Sequence, residues 1–569
     1  MKKIFLVFSL AGLLLTGCEN FLDTDNLTQK DTSNYPVDAE EMSALLTGVY
    51  SAAQAMELDP TSICQFVVAE IMSDERFGGG GPDDAVWADL ERFDNTTNPN
   101  FFANTWSNAY STIFRANMLL RAIDTIEWEE QGTRDYIAGQ AHFMRGYAFL
   151  YLARMFGTAP MPLTPDPVNL PRASADELFG QIGSDFLAAI DLMPETPRVA
   201  AADRGRATKW AAEAFLGRAF LFYTGYYKKE SMPLAAAEEG AEAGTLTKAE
   251  VIGHLEDCIN NSGHDLLPRF ESLWPYSNQY TREDGYAWLD SVDPDGEAVW
   301  AGETGGNIET VFAFQPLANI GWDYEGGNMI PLYFSLREQG EAGIFPYGKG
   351  WGFGPVSSEL WNSWPNTDPR REGSIIDVNN KDEMSDFKWG ADNQQHETGF
   401  YQKKYLAVNV KDEDGSLGSR EGYISYSRPF YGPTVPPEFE LGNTQDLVTM
   451  RFADVLLMAA ELKGDAAPLN RVRARVGLPE VAYSEKALQD ERRWELAFEG
   501  QRYYDLLRWG IAAPALERQN GVAIQNATVP TTMNVGDQTG RLAETGGFMP
   551  VPNSEVELSA GVLTQTPGW

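Results

Sequence analysis

The strongest constraint on how this chain folds is a set of long segments with helical periodicity whose inner positions are small. TRDYIAGQAHFMRGYAFLYLARMFG, residues 133–157, sets Ala138, Gly139, Ala141, Gly146 and Ala148 among Phe, Met, Tyr and Leu, and closes on Gly157 before Pro160 and Pro162. Small side chains let helix axes approach closely, and Gly followed by Pro ends a helix. The segment therefore reads as one helix, capped by Thr133 and gripped by neighbours. SADELFGQIGSDFLAAIDLMP opens on Ser174 with Glu177 three residues on, the capping box in which each side chain binds the other's backbone amide. TKWAAEAFLGRAFLFYTGYY is again rich in Ala and Gly. The two starts, near 174 and 208, lie about 34 residues apart, the repeat length of a tetratricopeptide helix pair. Upstream, Met42, Leu45, Leu46, Val49 and Ala53 form one apolar stripe, and Trp106, Tyr110, Ile113, Phe114, Asn117, Leu120 and Ile123 another.

From about 265 to 445 the helical period fades and Gly, Pro and aromatics take over, with IETVFAFQP and GFYQKKYLAV alternating like short strands. An irregular segment of this length inside a compact protein is functional or disordered, and its aromatic content argues against disorder. Helices resume with VTMRFADVLLMAAELKG and APLNRVRARVGL, and the chain ends in FMPVPNSEVELSAGVLTQTPGW, read as coil. Across 569 residues, 43% hydrophobic, there is ample core for two packed subregions or one large helical body. A net charge of -38 excludes nucleic acid as a partner, because binding a phosphate polyanion needs clustered Lys and Arg.

The N-terminus specifies the compartment. Lys2 and Lys3 precede the apolar run IFLVFSLAGLLL, too short to cross a bilayer, and LTGC follows. Residues 1–17 read as a signal peptide, and Cys18 as the lipidated first residue after its removal, with a polar tether behind it. Stable anchoring needs more than one acyl chain. Cys64 and Cys258 alone cannot form a disulfide framework and sit in apolar helical contexts, as buried free thiols. The four His residues show no zinc-ligand spacing.

ERRWELAFEGQRYYDLLRWG, residues 491–510, poses the question of catalysis: Glu495 and Glu499 lie one helical turn apart, beside Trp494, Phe498, Tyr503 and Tyr504. Read as one helix, Arg492, Glu495, Glu499 and Arg502 form a stripe of alternating sign. Neighbouring Arg holds a carboxyl ionised, whereas a glycosidase needs one carboxyl raised to donate a proton. The stretch is expected to be scaffold, with Trp494, Phe498 and Leu506 covered by other helices.

Flat C–H faces of sugars stack on aromatic rings, so clusters of rings with hydroxyl partners mark a carbohydrate site. The irregular segment offers Trp274, Tyr276, Tyr280, Trp288, Trp300, Trp322 and Tyr324, with Asp323 and Asn328 nearby. A second zone is SDERFGGGGPDDAVWADLERF, where four glycines prevent a helix and are expected to expose Asp83, Asp84 and Trp87. Trp351, Trp361 and Trp364 lie near regular elements and read as packing residues. The glycine run lacks the lysine of a phosphate loop. Asp83–Asp84 and DEDG at 412–415 carry the oxygens that calcium prefers, but without EF-hand spacing; solvated loop acids are the plainer account, and no cofactor is expected.

MRFADVLLMAAELKG, LNRVRARVGLP, ERRWELAFEGQRYYDLLRWG and MPVPNSEVELSAGVLTQTPGW, in that order, resemble the C-terminal half of the SusD/RagB family, and CENFLDTD, YSTIFRANMLL and QAHFMRGYAFLYLARMFGTAPM resemble its N-terminal half. The resemblance implies a mainly α fold: tetratricopeptide-like hairpins in a superhelical scaffold, with a loop-rich ligand-binding insert and a few short strands. It divides the chain into a signal peptide (1–17), an N-terminal helical region (18–265) and a C-terminal region (266–569) whose irregular part, about 266–445, binds ligand. It further implies a non-enzymatic lipoprotein of the outer membrane, facing outward, that captures glycan for a SusC-like TonB-dependent transporter. The competing readings are a helical glycoside hydrolase and a helical-repeat adaptor for protein or peptide.

Overall fold

The computed structural model describes residues 35–59, 63–94, 98–197, 204–236, 243–302, 307–318, 326–337, 339–411, 430 and 442–569. The leader, Cys18, Trp322, Asp323, Tyr324 and the DEDG acids lie outside the described residues.

Among the described residues eight helices fill the N-terminal part: α1 (Ala39–Leu58), α2 (Gln65–Ile71), α3 (Ala85–Glu91), α4 (Ala103–Ala122), α5 (Gln131–Phe156), α6 (Ala175–Leu192), α7 (Lys209–Tyr227) and α8 (Lys248–Asn261). α1 packs on α4, α4 on α5, α5 on α6, α6 on α7 and α7 on α8, the serial stacking of a tetratricopeptide-like array. The small residues of α5 set its distance from α6. A Cβ at Gly139 would meet Met193 at 2.7 Å, and one at Gly146 would meet Asp185 at 3.1 Å. Buried Arg145 ties three helices, donating to both oxygens of Asp185 on α6 (2.7 and 3.0 Å) and to Asn117 on α4 (2.9 Å).

Ser174 and Glu177 form the expected capping box, and Gly157 ends α5 at φ 79°. Two local expectations differ. α5 begins at Gln131, with Glu130 rather than Thr133 at its cap, so Thr133 lies inside the first turn. On α4, Phe114 is exposed, because the stripe that packs runs through Trp106, Ala109, Ile113 and Ala116. Cys64 and Cys258 are buried free thiols.

In the insert, β1 (Thr310–Phe314) pairs antiparallel with β4 (Leu447–Arg451), and β2 (Ile375–Asp377) with β3 (Phe400–Gln402). Residues 448–451, expected in a helix, are strand: Val448 and Thr449 are β-branched and find a partner in β1. The helix α9 (Phe452–Lys463) follows at once and packs on α8, so the C-terminal helices extend the stack. α10 (Ala466–Arg475), α11 (Glu485–Glu495), α12 (Arg502–Trp509) and a short α13 (Asn553–Leu558), in the tail expected as coil, are among the elements that follow.

The stretch 491–510 is two helices, not one. Between α11 and α12 the backbone turns left-handed at Phe498 (φ 63°) and Gly500 (φ 70°), so Glu495 and Glu499 do not share a helical stripe. They meet instead across a buried ionic hub. Arg451 donates to both oxygens of Glu499 (2.7 and 2.8 Å), to Glu495 (2.9 Å) and to Glu309; Lys404 joins Glu499 at 2.7 Å. Arg370 adds Glu495 (2.9 Å), Glu491 (2.6 Å) and Asp368 (2.8 Å), and Arg475 adds Glu309 and Glu495. Burial pushes the Glu495 carboxyl up, but Arg475, Arg451 and Arg370 outweigh it and hold it well below the usual carboxylate range. A carboxyl held ionised and sealed from solvent donates no proton to a glycosidic oxygen. Trp494 and Phe498 pack in a side cluster with Trp364, while Leu506 belongs to the main core.

Candidate functional site

The glycine run positions the one exposed tryptophan among the described residues. Gly78–Gly81 run against Gly352–Val356: the Phe77 amide donates to Pro355, Gly80 to Gly352 and Gly354 to Gly78, each at 3.0 Å. Gly79 sits at φ 70°, and a Cβ there would meet Pro355 at 2.5 Å and the Gly352 carbonyl at 2.6 Å. Only glycine allows that approach at that φ. The run is therefore a packed edge that locks a loop near the N-terminal helices onto the segment carrying Trp351.

Trp351 is 36% exposed, the only exposed tryptophan among the described residues. Its ring lies 5.4 Å from Tyr333 and 6.1 Å, edge-on, from Phe353; Trp87 stacks on Phe353 at 4.1 Å and meets Tyr333 edge-on at 5.5 Å. Three rings thus brace one indole that faces solvent. Arg337 clamps the platform from the side, donating to the Trp351 carbonyl (3.0 Å) and pairing with Asp392 (2.8 Å) and Asp84 (3.4 Å). Asp84 also accepts from the Gly81 amide at 2.7 Å, Asp392 is exposed, and Asp83 beside the loop is exposed. A flat apolar face rimmed by two carboxylates and a guanidinium matches the alternating C–H faces and hydroxyls of a sugar.

Buried acids hold the base of the platform. Burial pushes Glu91 up to about 8 against the Gly78 amide that it accepts, and pushes Glu397 up to about 7 against the Gly390 amide. Burial, with Arg92, lowers His396 to about 4, so its neutral Nδ1 accepts from the Gly79 amide at 3.2 Å.

The ring residues singled out in the sequence are distributed over three places. Trp87 is buried beneath Trp351, as a brace rather than an exposed residue. Tyr276 and Trp288 surround buried Lys403, whose ammonium lies 3.3 Å from the Trp288 ring centre and 5.8 Å from that of Tyr276. Burial pulls Lys403 down to about 8 against its partner Glu383, which also accepts from Tyr286 (2.8 Å) and Tyr347 (3.0 Å). Trp274 and Trp300, both buried, stand on the wall of a cleft of about 750 Å³ between the start of α7 and the β1–β4 pair. Tyr280 packs on Phe430, and Asn328 is buried, donating to the Gln445 carbonyl. Trp361 stacks on Phe400 and Trp364 is buried, both as expected of packing residues, but Trp351 is not one. Its signal in the sequence is the alternation Gly350-Trp-Gly352-Phe-Gly354, with Gly352 and Gly354 at φ 75° and 67°.

Two family models match the chain: one described as the SusD family over residues 309–569, and one described as starch-binding associating with the outer membrane over 20–221. SusD-like protein P25 of Formosa agariphila is 25% identical over 447 residues, 72% of this chain and 70% of that protein. A laminarin-binding SusD-like protein aligns in structure with TM-score 0.69 and 24% identity over 94% of this chain and all of that one. Surface glycan-binding protein A from Bacteroides thetaiotaomicron, solved with laminarihexaose, aligns with TM-score 0.67 and 19% identity over 93% of this chain and 99% of that one. The two solved structures are titled as glycan- or laminarin-binding proteins.

Proposed function

The chain belongs to the SusD family, and from that premise we propose that it is a surface glycan-binding lipoprotein, tethered to the outer membrane through Cys18, which captures oligo- or polysaccharide and passes it to a SusC-like TonB-dependent transporter. The observation that carries the reading is Trp351: an exposed indole braced by Tyr333, Phe353 and Trp87 and rimmed by Arg337, Asp84 and Asp392. Burying an aromatic face against a ligand is favourable, and bracing rings reduce the ordering cost of binding. The lipobox-like LTGC and the names of the relatives support the location and the ligand class. Binding without hydrolysis fits the ionic hub, where paired Glu495 is unavailable as a general acid.

The test is affinity electrophoresis of the full chain through gels carrying a panel of polysaccharides, laminarin among them, with reducing-end release measured in parallel. Retardation by at least one glycan without release of reducing ends supports the reading. Release of sugar, or no retardation by any glycan, contradicts it.

A further inference from the structure

The cleft that holds Trp274 and Trp300 lies apart from the Trp351 platform, shares no residue with it, and has polar groups that the protein itself leaves unsatisfied. Its volume, about 750 Å³, falls within the range of small-ligand sites. On its wall, the Gln445 side-chain oxygen and the Trp274 indole N–H are buried with no hydrogen-bond partner, although Gln445 anchors its amide nitrogen on the Lys404 carbonyl at 2.7 Å. At the edge formed by the α7 approach stand Arg204 and Arg206. Arg206 is held in place: its guanidinium lies 4.4 Å above the Tyr50 ring, and one nitrogen donates to Thr47 at 3.0 Å. Its other terminal nitrogen is buried and makes no hydrogen bond. Among the described residues neither arginine lies within ion-pair distance of a carboxylate. Arg204 is still near enough to Asp446, on the same wall, to draw that carboxyl's pKa down. An unpaired buried donor and acceptor each carry an uncompensated desolvation cost that a ligand relieves, and a guanidinium fork matches the two oxygens of a carboxylate or sulfate.

We propose that this cleft is a second saccharide site, selective for a sugar bearing a carboxylate or sulfate, with Arg204 and Arg206 holding the anion and Gln445 and the Trp274 N–H pairing with its hydroxyls. Asp446, on the same wall and bonded to Gln315 at 3.4 Å, is the opposing charge that limits how tightly an anion binds. The proposal rests on the glycan-binding reading and names the class of glycan.

The experiment titrates the full chain with laminarihexaose, with a hexamer of galacturonate and with sulfated laminarihexaose, at low and high salt. Wild-type protein is expected to bind one of the anionic hexamers more tightly than the neutral one, and more so at low salt; comparing the two anionic arms identifies which anion is held. Arg204→Gln with Arg206→Gln should weaken that binding by about tenfold or more and leave the neutral hexamer unaffected; Asp446→Asn should strengthen it. Arg204 is exposed, so Arg204→Gln alone keeps the test open if the double variant misfolds, with a smaller loss expected. Anionic hexamers bound no better than the neutral one, or bound equally by the arginine variants, overturn this inference and leave glycan binding standing. No binding to any of the three, with retardation by another glycan of the panel, also overturns this inference; no retardation by any glycan overturns both.

Discussion

The ionic hub around Arg451 and the platform around Trp351 are made from the same materials and do opposite things. Both combine carboxylates, guanidinium groups and indoles. In the hub every charge faces its partners and solvent is shut out: Arg451, Glu495, Glu309 and Arg370 are buried. At the platform Arg337 is shared between two acids that also meet water, and Trp351 keeps a face open. Residue type therefore does not distinguish scaffold from site. What does is whether the protein satisfies its own polar and apolar groups or leaves some for a ligand.

The sharpest way to break this comparison is to remove the centre of the hub. Arg451→Met leaves Glu309, Glu495 and Glu499 facing one another without their shared cation, and removing one partner of a buried ionic cluster costs about 3–5 kcal/mol. Chemical denaturation should show that loss; a midpoint unchanged from wild type would mean the hub contributes little. Next in size is Gly79→Ala. It forces alanine into φ 70° and against Pro355, a strain of about 1–3 kcal/mol. Its particular signature is loss of glycan retardation out of proportion to its stability, because it separates the loop from the segment that carries Trp351.

The two regions should also answer pH with opposite sign. In the hub and its neighbours the Glu495 and Asp505 carboxyls are held below their ordinary values. Their contribution is present above the unfolded-state values and is lost as pH falls through the folded ones, so urea midpoints should drop below about pH 4.5. At the platform base Glu91 and Glu397 are raised, from 4.5 to about 8 and about 7. Their contribution is full below 4.5 and is lost as pH rises through 7 to 8. His396, lowered from 6.5 to about 4, opposes them only below 6.5. Hydrogen exchange at the Gly78 and Gly390 amides, corrected for intrinsic rate, should accelerate between pH 6.5 and 8. Exchange that stays flat there would show that the base does not depend on protonated acids.

The scaffold was legible because its signals are local. Ser174 with Glu177, the stop at Gly157 and the Met42–Leu46–Val49 stripe each act within a turn or two, and β1 and β3 were visible as alternation. The break at Phe498 and the true cap of α5 were not, since a helical stripe in sequence does not reveal a left-handed turn inside it or a start three residues early. The site was least legible. Whether an indole meets solvent, a neighbouring ring or an ammonium is decided by residues far away in sequence: Trp288 by Lys403, Trp274 by Lys404 at 4.9 Å, Trp87 by Phe353. The glycine run is plain in the sequence, but the partner that makes it necessary, Gly352–Pro355, lies some 270 residues on.

The most direct test of the account compares Trp351→Ala with wild type on whichever glycan the wild type binds, measuring affinity and thermal unfolding on the same samples. Affinity should fall by about tenfold while the unfolding temperature falls only modestly, since the ring is already partly exposed to water. Undiminished affinity in a folded variant would contradict the assignment of this platform as the binding surface.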